Sequence, residues 1–313
     1  TQGVSSAASD VYKRQVFKGY LFAGDVLLNE SGMQNHPLTP MTDPNLVRVL
    51  QAQTARQVGL IDHAVVARGE AAIRERIAAL REQGVSIAIV DAVSNDDLLR
   101  LGPALRDMAL VTAGSGVAIA LPANFGIAPS SQAAVLPPAS GLKAIVSGSC
   151  SVATNQQVMH FIQSGRPALA IDPLRIAAGV DVCAEALAWA GDKIAGGPVL
   201  IYSTADTSAV KSIQSKLGVE AAGTLVEQTI AGIARGLVEL GVRQLVVAGG
   251  ETSGACVQAL EIAQMRIGGQ IDPGVPWCHA LSPAAPDGLH ITLKSGNFGT
   301  ADFFTKAFAA CAA

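Results

Sequence analysis

Short aliphatic runs alternate with segments of helical spacing along nearly the whole chain, and that alternation admits few architectures. Consecutive strands joined through helices can pair in parallel only by crossing over a sheet face, so the pattern predicts α/β layers with parallel sheets. Val58–Ile61, Val85–Val90 and Met108–Thr112 read as strands separated by helices over Glu70–Gln83 and Asn95–Arg106. In the first helix Ile73, Ile77 and Leu80 share a face, and Gly84 ends it. Asp43-Pro44 reads as an N-cap followed by proline at the first helical position, with Leu46, Val47, Leu50 and Gln53 continuing at helical spacing.

The alternation stops between Pro122 and Ser140, a stretch rich in Pro, Ser and Ala that reads as a domain linker. Beyond it, strands are expected at Lys143–Val146, Ala168–Ile171, Val199–Tyr202, Gln244–Val247 and His290–Leu293. Helices are expected at Asn155–Gln163, Val180–Ala190, between Ser208 and Leu240, at Ala255–Gln264 and at Ala301–Ala310. A chain of 313 residues also exceeds what a single core usually supports. The expected fold is two doubly wound α/β domains with largely parallel sheets.

Composition removes several function classes. Net charge is only -3, and no Lys/Arg cluster could neutralise a polyanionic backbone, so nucleic acid is not expected as a partner. The uncharged stretch between Asp107 and Lys143 is broken by Gly114, Gly116, Pro122, Asn124, Gly126 and Pro129, which reads as a strand plus linker and not as a membrane span. The five cysteines, Cys150, Cys183, Cys256, Cys278 and Cys311, are scattered and form no CxxC pair, as expected of buried thiols in a cytoplasmic protein. Residues Thr1 to Gln15 lack both a signal-peptide core and the periodicity of the rest of the chain. They resemble translated adapter sequence and are expected to be a non-native tail outside the fold.

In open α/β sheets ligands bind beyond the carboxyl ends of the strands. Three such loops share one character: Ser147-Gly148-Ser149-Cys150-Ser151, Gly249-Gly250-Glu251-Thr252-Ser253-Gly254, and Lys294-Ser295-Gly296-Asn297-Phe298-Gly299. Each combines glycines, which let amides approach an anion, with hydroxyls and a following helix whose N-terminus favours phosphate. Taken singly, each is also an ordinary tight turn. Gly249 and Gly254 have P-loop spacing, but Ala255 and Cys256 stand where Lys and Ser/Thr belong. Gly114-Ser115-Gly116 lacks the third glycine of a dinucleotide fingerprint, which disfavours a nicotinamide enzyme.

His36, His63, His160, His279 and His290 are dispersed. Cys278-His279 makes no zinc pattern, and Gly148-Ser149 lacks the closing glycine of a nucleophile elbow. The segment from Asn29 to Asp43 is dense in hydrogen-bonding groups and stiffened by prolines. It could hold a polyhydroxylated carboxylate through His36, Thr39 and neighbouring amides, or serve only as a polar helix entry.

The segments LFAGDVLLNESGMQNHPLTPMTDPNLVRVLQ, VTAGSGVAIALPANF, AIVSGSCSVATNQQ, LVVAGGETSGACVQAL, and GVPWCHAL with LKSGNFGTADFF resemble the four-carbon acid sugar kinase family, in the same order and from about Phe17 to the C-terminus. The HPLTPMTD stretch is most similar to family members acting on 3-oxo-tetronates. The resemblance implies ATP-dependent phosphorylation of a 3-oxo-tetronate at its terminal hydroxyl. It also implies a substrate domain within residues 16–125 and a nucleotide-binding domain within 140–313. Carried over by position, ATP contacts fall at Ser149, at Gly249, Gly250, Glu251, Thr252 and Ser253, and at Gly296. Mg²⁺ would accompany the phosphates, and Lys294 is either a charge stabiliser at the transferred group or a surface lysine near a helix start. Family members carry an Asp-Asp and Thr-Gly motif well upstream of HPLTP that has no counterpart before Phe17. The first domain is therefore expected to be incomplete, without the carboxylate expected to act as general base. The expected partner is a small-molecule acid sugar, and a homo-oligomer stays open. The rival readings are a non-catalytic protein that binds nucleotide or acid sugar, and a nicotinamide-dependent oxidoreductase.

Overall fold

The computed structural model describes residues 3–6, 14–35, 39–203 and 218–311. The chain divides into two units at Pro129/Ser130. In the first, β1 (Gly3–Ser6), β5 (Val58–Ile61), β6 (Ile87–Val90) and β7 (Leu110–Ala113) form a wholly parallel sheet in the order β5-β6-β1-β7. Strands β2 (Arg14–Phe17), β3 (Tyr20–Ala23) and β4 (Val26–Leu27) make a separate antiparallel sheet.

Gly3–Ser6 therefore pairs inside a sheet, and Arg14 and Gln15 belong to β2, contrary to the expectation that residues up to 15 stand outside the fold. Ladder pairing is made by backbone amides, so a four-residue strand needs no apolar periodicity and leaves none to read.

Helices α1 (Leu46–Gln51), α2 (His63–Val66), α3 (Glu70–Glu82) and α4 (Asn95–Ala104) accompany these sheets. The cap of α1 lies two residues later than the sequence suggested. Asn45 accepts from the Arg48 amide, while Asp43 accepts from the Asn45 amide and pairs with the Arg48 guanidinium. Asp43 thus stands two residues before the cap, where pairing with arginine holds its carboxyl below the usual range. Helix α4 carries a full capping box between Ser94 and Asp97.

The turn between β2 and β3 depends on one carboxylate. Lys18 and Gly19 both have positive φ, 54° and 76°, the geometry of a tight hairpin turn that a lysine adopts only at a cost. Asp91, fully buried at the end of β6, accepts from the amides of Lys18 (2.6 Å), Gly19 (2.9 Å) and His63 (2.9 Å). Burial pushes its carboxyl up, against the pull of these amides.

In the second unit β8 (Leu142–Ser147), β9 (Ala168–Ala170), β10 (Val199–Tyr202), β11 (Val242–Ala248), β12 (Met265–Asp272), β13 (Val275–Ser282) and β14 (Ala285–Lys294) form one sheet, in the order β12-β13-β14-β11-β8-β10-β9. The five strands from β14 to β9 are parallel, and β12 and β13 add an antiparallel edge. That edge is absent from the sequence pattern, because Gly268, Gly269, Pro273 and Pro276 interrupt any two-residue period.

Successive residues of the central strands point to opposite faces and divide the helices accordingly. On one face Ala144, Val146, Leu245 and Val247 pack with Ile176 of α6 (Pro173–Ala177), with α7 (Val182–Gly191) and with the long helix Val219–Glu239. On the other, Ile145, Val246 and Ala248 pack against Val158 and Phe161 of α5 (Val152–Gln163) and Phe303, Phe304 and Phe308 of the helix Phe303–Cys311. The unit is doubly wound, as the alternation required. The part of the Ser208–Leu240 helical reading before Gly218 lies outside the described residues. Among the described residues no helix is long and apolar enough to cross a membrane.

Replacing Asp91 by Ala leaves three amides without their acceptor, which should cost about 2–4 kcal/mol and lower the urea midpoint, with Asp91→Asn intermediate. An unchanged midpoint for Asp91→Ala would show that the hairpin does not depend on this carboxylate.

Candidate functional site

The chain leaves β8 toward β9 and β10 on one side, then crosses to β11 and β14 on the other. Helix α5, after β8, lies on one face, and helix Gly250–Ala259, after β11, lies on the other, where its Cys256 joins the first core. A crevice opens where adjacent strands send their helices to opposite faces, and here that place lies between the ends of β8 and β11. All three glycine-rich segments meet around it, at the carboxyl ends of β8, β11 and the neighbouring β14.

Their approach is close. A Cβ on Gly296 would stand 2.6 Å from the Ser149 hydroxyl, and one on Gly249 would stand 2.6 Å from the Thr252 hydroxyl and 3.3 Å from the Ser149 amide. Gly249 has φ +127°, outside what a side chain tolerates. Its amide donates to the Lys294 carbonyl at 2.8 Å, tying the second segment to the third.

The second segment differs from its reading as a loop. Helix begins at Gly250, so Glu251, Thr252 and Ser253 form its first turn and the expected helix start at Ala255 is five residues late. The positive φ of Gly249 turns the chain directly from strand to helix, which a composition rich in Gly, Thr and Ser hides. Gly250 and Glu251 are exposed at the mouth, whereas Thr252 and Ser253 are buried and the Ser253 hydroxyl donates to the Gly249 carbonyl at 2.6 Å.

Lys294 is not a surface lysine, since its side chain is fully buried. Its Nζ donates to the Thr154 hydroxyl at 2.8 Å and to the carbonyls of Gly296 at 3.0 Å and Ser295 at 3.2 Å. The hydroxyls of Ser151 (2.5 Å) and Thr154 (2.8 Å) donate to the same Gly296 carbonyl. One turn further along α5, the buried Gln157 amide donates to the carbonyls of Phe298 (2.9 Å) and Thr300 (3.1 Å). Ser151 also caps α5 by accepting from the Thr154 amide. Ser151, Thr154 and Gln157 therefore dress the third segment onto α5. Sequence reasoning does not single out Thr154 and Gln157, although their three-residue spacing behind a glycine-rich turn marks a polar stripe on α5 beside the buried Val158 and Phe161.

Glu251 acts at the mouth through its charge. It adds to the burial that pushes the Glu227 carboxyl up from the long helix, and to the burial that pushes the Cys150 thiol up from the first segment. Two carboxylates thus stand within electrostatic reach of each other beside the crevice.

In the first unit, Thr39 is exposed, and His36 lies outside the described residues. The polar groups at the ends of β5 and β6 serve the scaffold. Asp62 caps α2, Asp97 caps α4 and stands 3.4 Å from His63 Nε2, and Asp91 holds the hairpin turn.

Residues 144–304 match the family profile of a nucleotide-binding C-terminal domain, and residues 4–121 that of a sugar-binding N-terminal domain. The chain is similar to the 3-oxo-tetronate kinase of Cupriavidus necator, with 54% identity over 298 residues, 94% of this chain and 68% of that protein. Its similarity to the 3-oxo-tetronate kinase of Burkholderia multivorans is 54% identity over 301 residues, 95% of this chain and 69% of that protein. Among solved structures, a Salmonella typhimurium LT2 protein superposes with TM-score 0.77 at 38% identity, covering 98% of this chain and 72% of that one. A Haemophilus influenzae protein gives TM-score 0.66 at 38% identity, over 98% and 74%. With both profiles matched in order, and three glycine-rich segments gathered at the switch point of a doubly wound sheet, the chain belongs to the four-carbon acid sugar kinase family.

Proposed function

We propose that this chain is an ATP-dependent kinase that transfers a phosphoryl group to the terminal hydroxyl of a 3-oxo-tetronate. The observation that carries the reading is the convergence of the three glycine-rich segments at the β8/β11 crevice, together with the strong similarity to 3-oxo-tetronate kinases. Close backbone approach and the first turn of helix Gly250–Ala259 suit a polyphosphate.

The β- and γ-phosphates lie against Ser149, Gly249 to Ser253 and Gly296. Such chemistry asks the protein mainly to position groups and neutralise developing charge. Lys294 contributes from beneath. Bonded to the Gly296 carbonyl, it sets the third segment instead of reaching the transferred group. The arrangement fits Mg²⁺ in the usual manner of nucleotide sites, held through phosphate oxygens with one or two carboxylates, which Glu251 and Glu227 would supply. Bound there, the ion would neutralise charge on the transferred group. His36 and Thr39 are offered as contacts of the acid sugar, and the cytoplasm as the place of action.

Incubation with ATP, Mg²⁺ and a 3-oxo-tetronate should release ADP and a phosphorylated acid. ADP binding without transfer to any tetronate would favour a nucleotide-binding protein, and tighter binding of NADH than of ADP would favour an oxidoreductase.

Thr154→Val keeps shape but removes the hydroxyl shared by Lys294 and Gly296. It should weaken ATP binding about tenfold, a loss of about 1.4 kcal/mol, while Thr154→Ser stays near the parent. Equal affinities for the two variants would remove the positioning role. Glu251→Gln should raise the Mg²⁺ concentration needed for half-maximal rate several-fold, and an unchanged Mg²⁺ dependence would take Glu251 out of the metal's surroundings.

A further inference from the structure

Helix α5 has two faces with different tasks. Ser151, Thr154 and Gln157 turn inward to the third segment, with Val158 and Phe161 in the core. The opposite stripe, Val152, Gln156, Met159 and Gln163, faces solvent and lines an open groove of about 560 Å³. Cys150 and Ala301 complete its walls. Val152 is 74% exposed and Met159 53%, so two aliphatic side chains stand uncovered on one helical face.

The groove is continuous with the phosphate-binding segments at both edges. Cys150 directly follows Ser149, and Ala301 stands two residues beyond Gly299, at the close of the third segment. Its chemistry is the reverse of theirs. Among the described residues no lysine, arginine or carboxylate lines it; its polar members are neutral amides, such as that of Gln156, and the imidazole of His160. A sugar acid or a phosphate would lose hydration there without gaining a fixed countercharge. A flat, neutral heterocycle would instead cover Val152 and Met159 and meet donors and acceptors at its edge. The methionine thioether gives a soft, polarisable wall for an aromatic ring. The volume falls within the usual range for small-ligand sites, about 300–1,000 Å³.

We propose that this groove is the base subsite of the nucleotide, taking the adenine of ATP along α5 while the triphosphate turns in toward Ser149 and Gly296. The inference rests on the nucleotide-binding reading given above. It divides the labour of α5 lengthwise: the inward stripe shapes the phosphate loop, and the outward stripe receives the base. Asn155, on the same side, bonds through its amide to the carbonyls of Cys150 (3.3 Å) and Ser151 (3.0 Å), fixing the edge where base and phosphates would join.

Met159 is exposed, so its replacement tests the subsite with little burden on folding. Met159→Ala should raise the Kd for ATP about tenfold and leave that for inorganic tripolyphosphate, which has no base, within twofold. Met159→Leu should restore most of the ATP affinity. Irradiation of 8-azido-ATP with the parent chain should label α5 between Val152 and Gln163, with protection by ATP. Unchanged ATP affinity in Met159→Ala, equal weakening of ATP and tripolyphosphate, or protected label elsewhere in the chain would each overturn the base subsite while leaving nucleotide binding intact. Failure of the parent chain to bind ATP at all would overturn the nucleotide reading itself, and the subsite with it.

Discussion

The carbonyl of Gly296 accepts from three side chains at once, and the rest of the candidate site is arranged around that point. A carbonyl oxygen has two lone pairs, so three donors form a crowded set that fixes the peptide plane. Two of the donors come from the N-cap and first turn of α5 and the third from the end of β14, so elements more than a hundred and forty residues apart in sequence share one registration. Through Lys294 the same network reaches Gly249, whose amide donates to the Lys294 carbonyl. All three glycine-rich segments are therefore linked by named bonds and not merely adjacent.

The cost of such a device explains its density. An ammonium withdrawn from water loses several kcal/mol unless its donors are met. Lys294 offers three N–H groups, and the Thr154 hydroxyl with the carbonyls of Ser295 and Gly296 supplies three acceptors. These acceptors satisfy the three donors of the ammonium. The ammonium is thereby held beneath a loop whose proposed ligand is an anion. A surface lysine would be screened and would reach the same ligand only by ordering a flexible chain.

The features legible in the sequence and those hidden from it divide along physical lines. Periodicity reports burial, so β5, β6, β8, β10 and β11 and most of their helices can be read from apolar spacing, and the loops at strand ends come with the architecture. Glycine-rich composition marks the three segments, but not where helix begins within them, because that depends on a single dihedral at Gly249. Ladder pairing by backbone amides leaves no pattern at Gly3–Ser6, and glycine and proline interrupt the period of the β12–β13 edge, so both escape a reading by pattern. The role of Lys294 is undecided in the sequence for a related reason. A lysine at a strand end reads the same whether it faces water or is enclosed, and its enclosure here depends on Thr154, distant in sequence.

The first unit solves a similar problem with opposite charge. There a buried carboxylate, Asp91, gathers amides from Lys18, Gly19 and His63 and so fixes a turn that contains a lysine at positive φ. In the second unit a buried ammonium gathers carbonyls and fixes a glycine-rich turn. The signs match what each leaves behind. A carboxylate uses up amides and serves the scaffold, whereas an ammonium uses up carbonyls and leaves backbone amides as the groups available to a ligand. Anion binding is thus favoured at the end of β14 and not at the β2–β3 turn, by the same hydrogen-bond accounting applied to both.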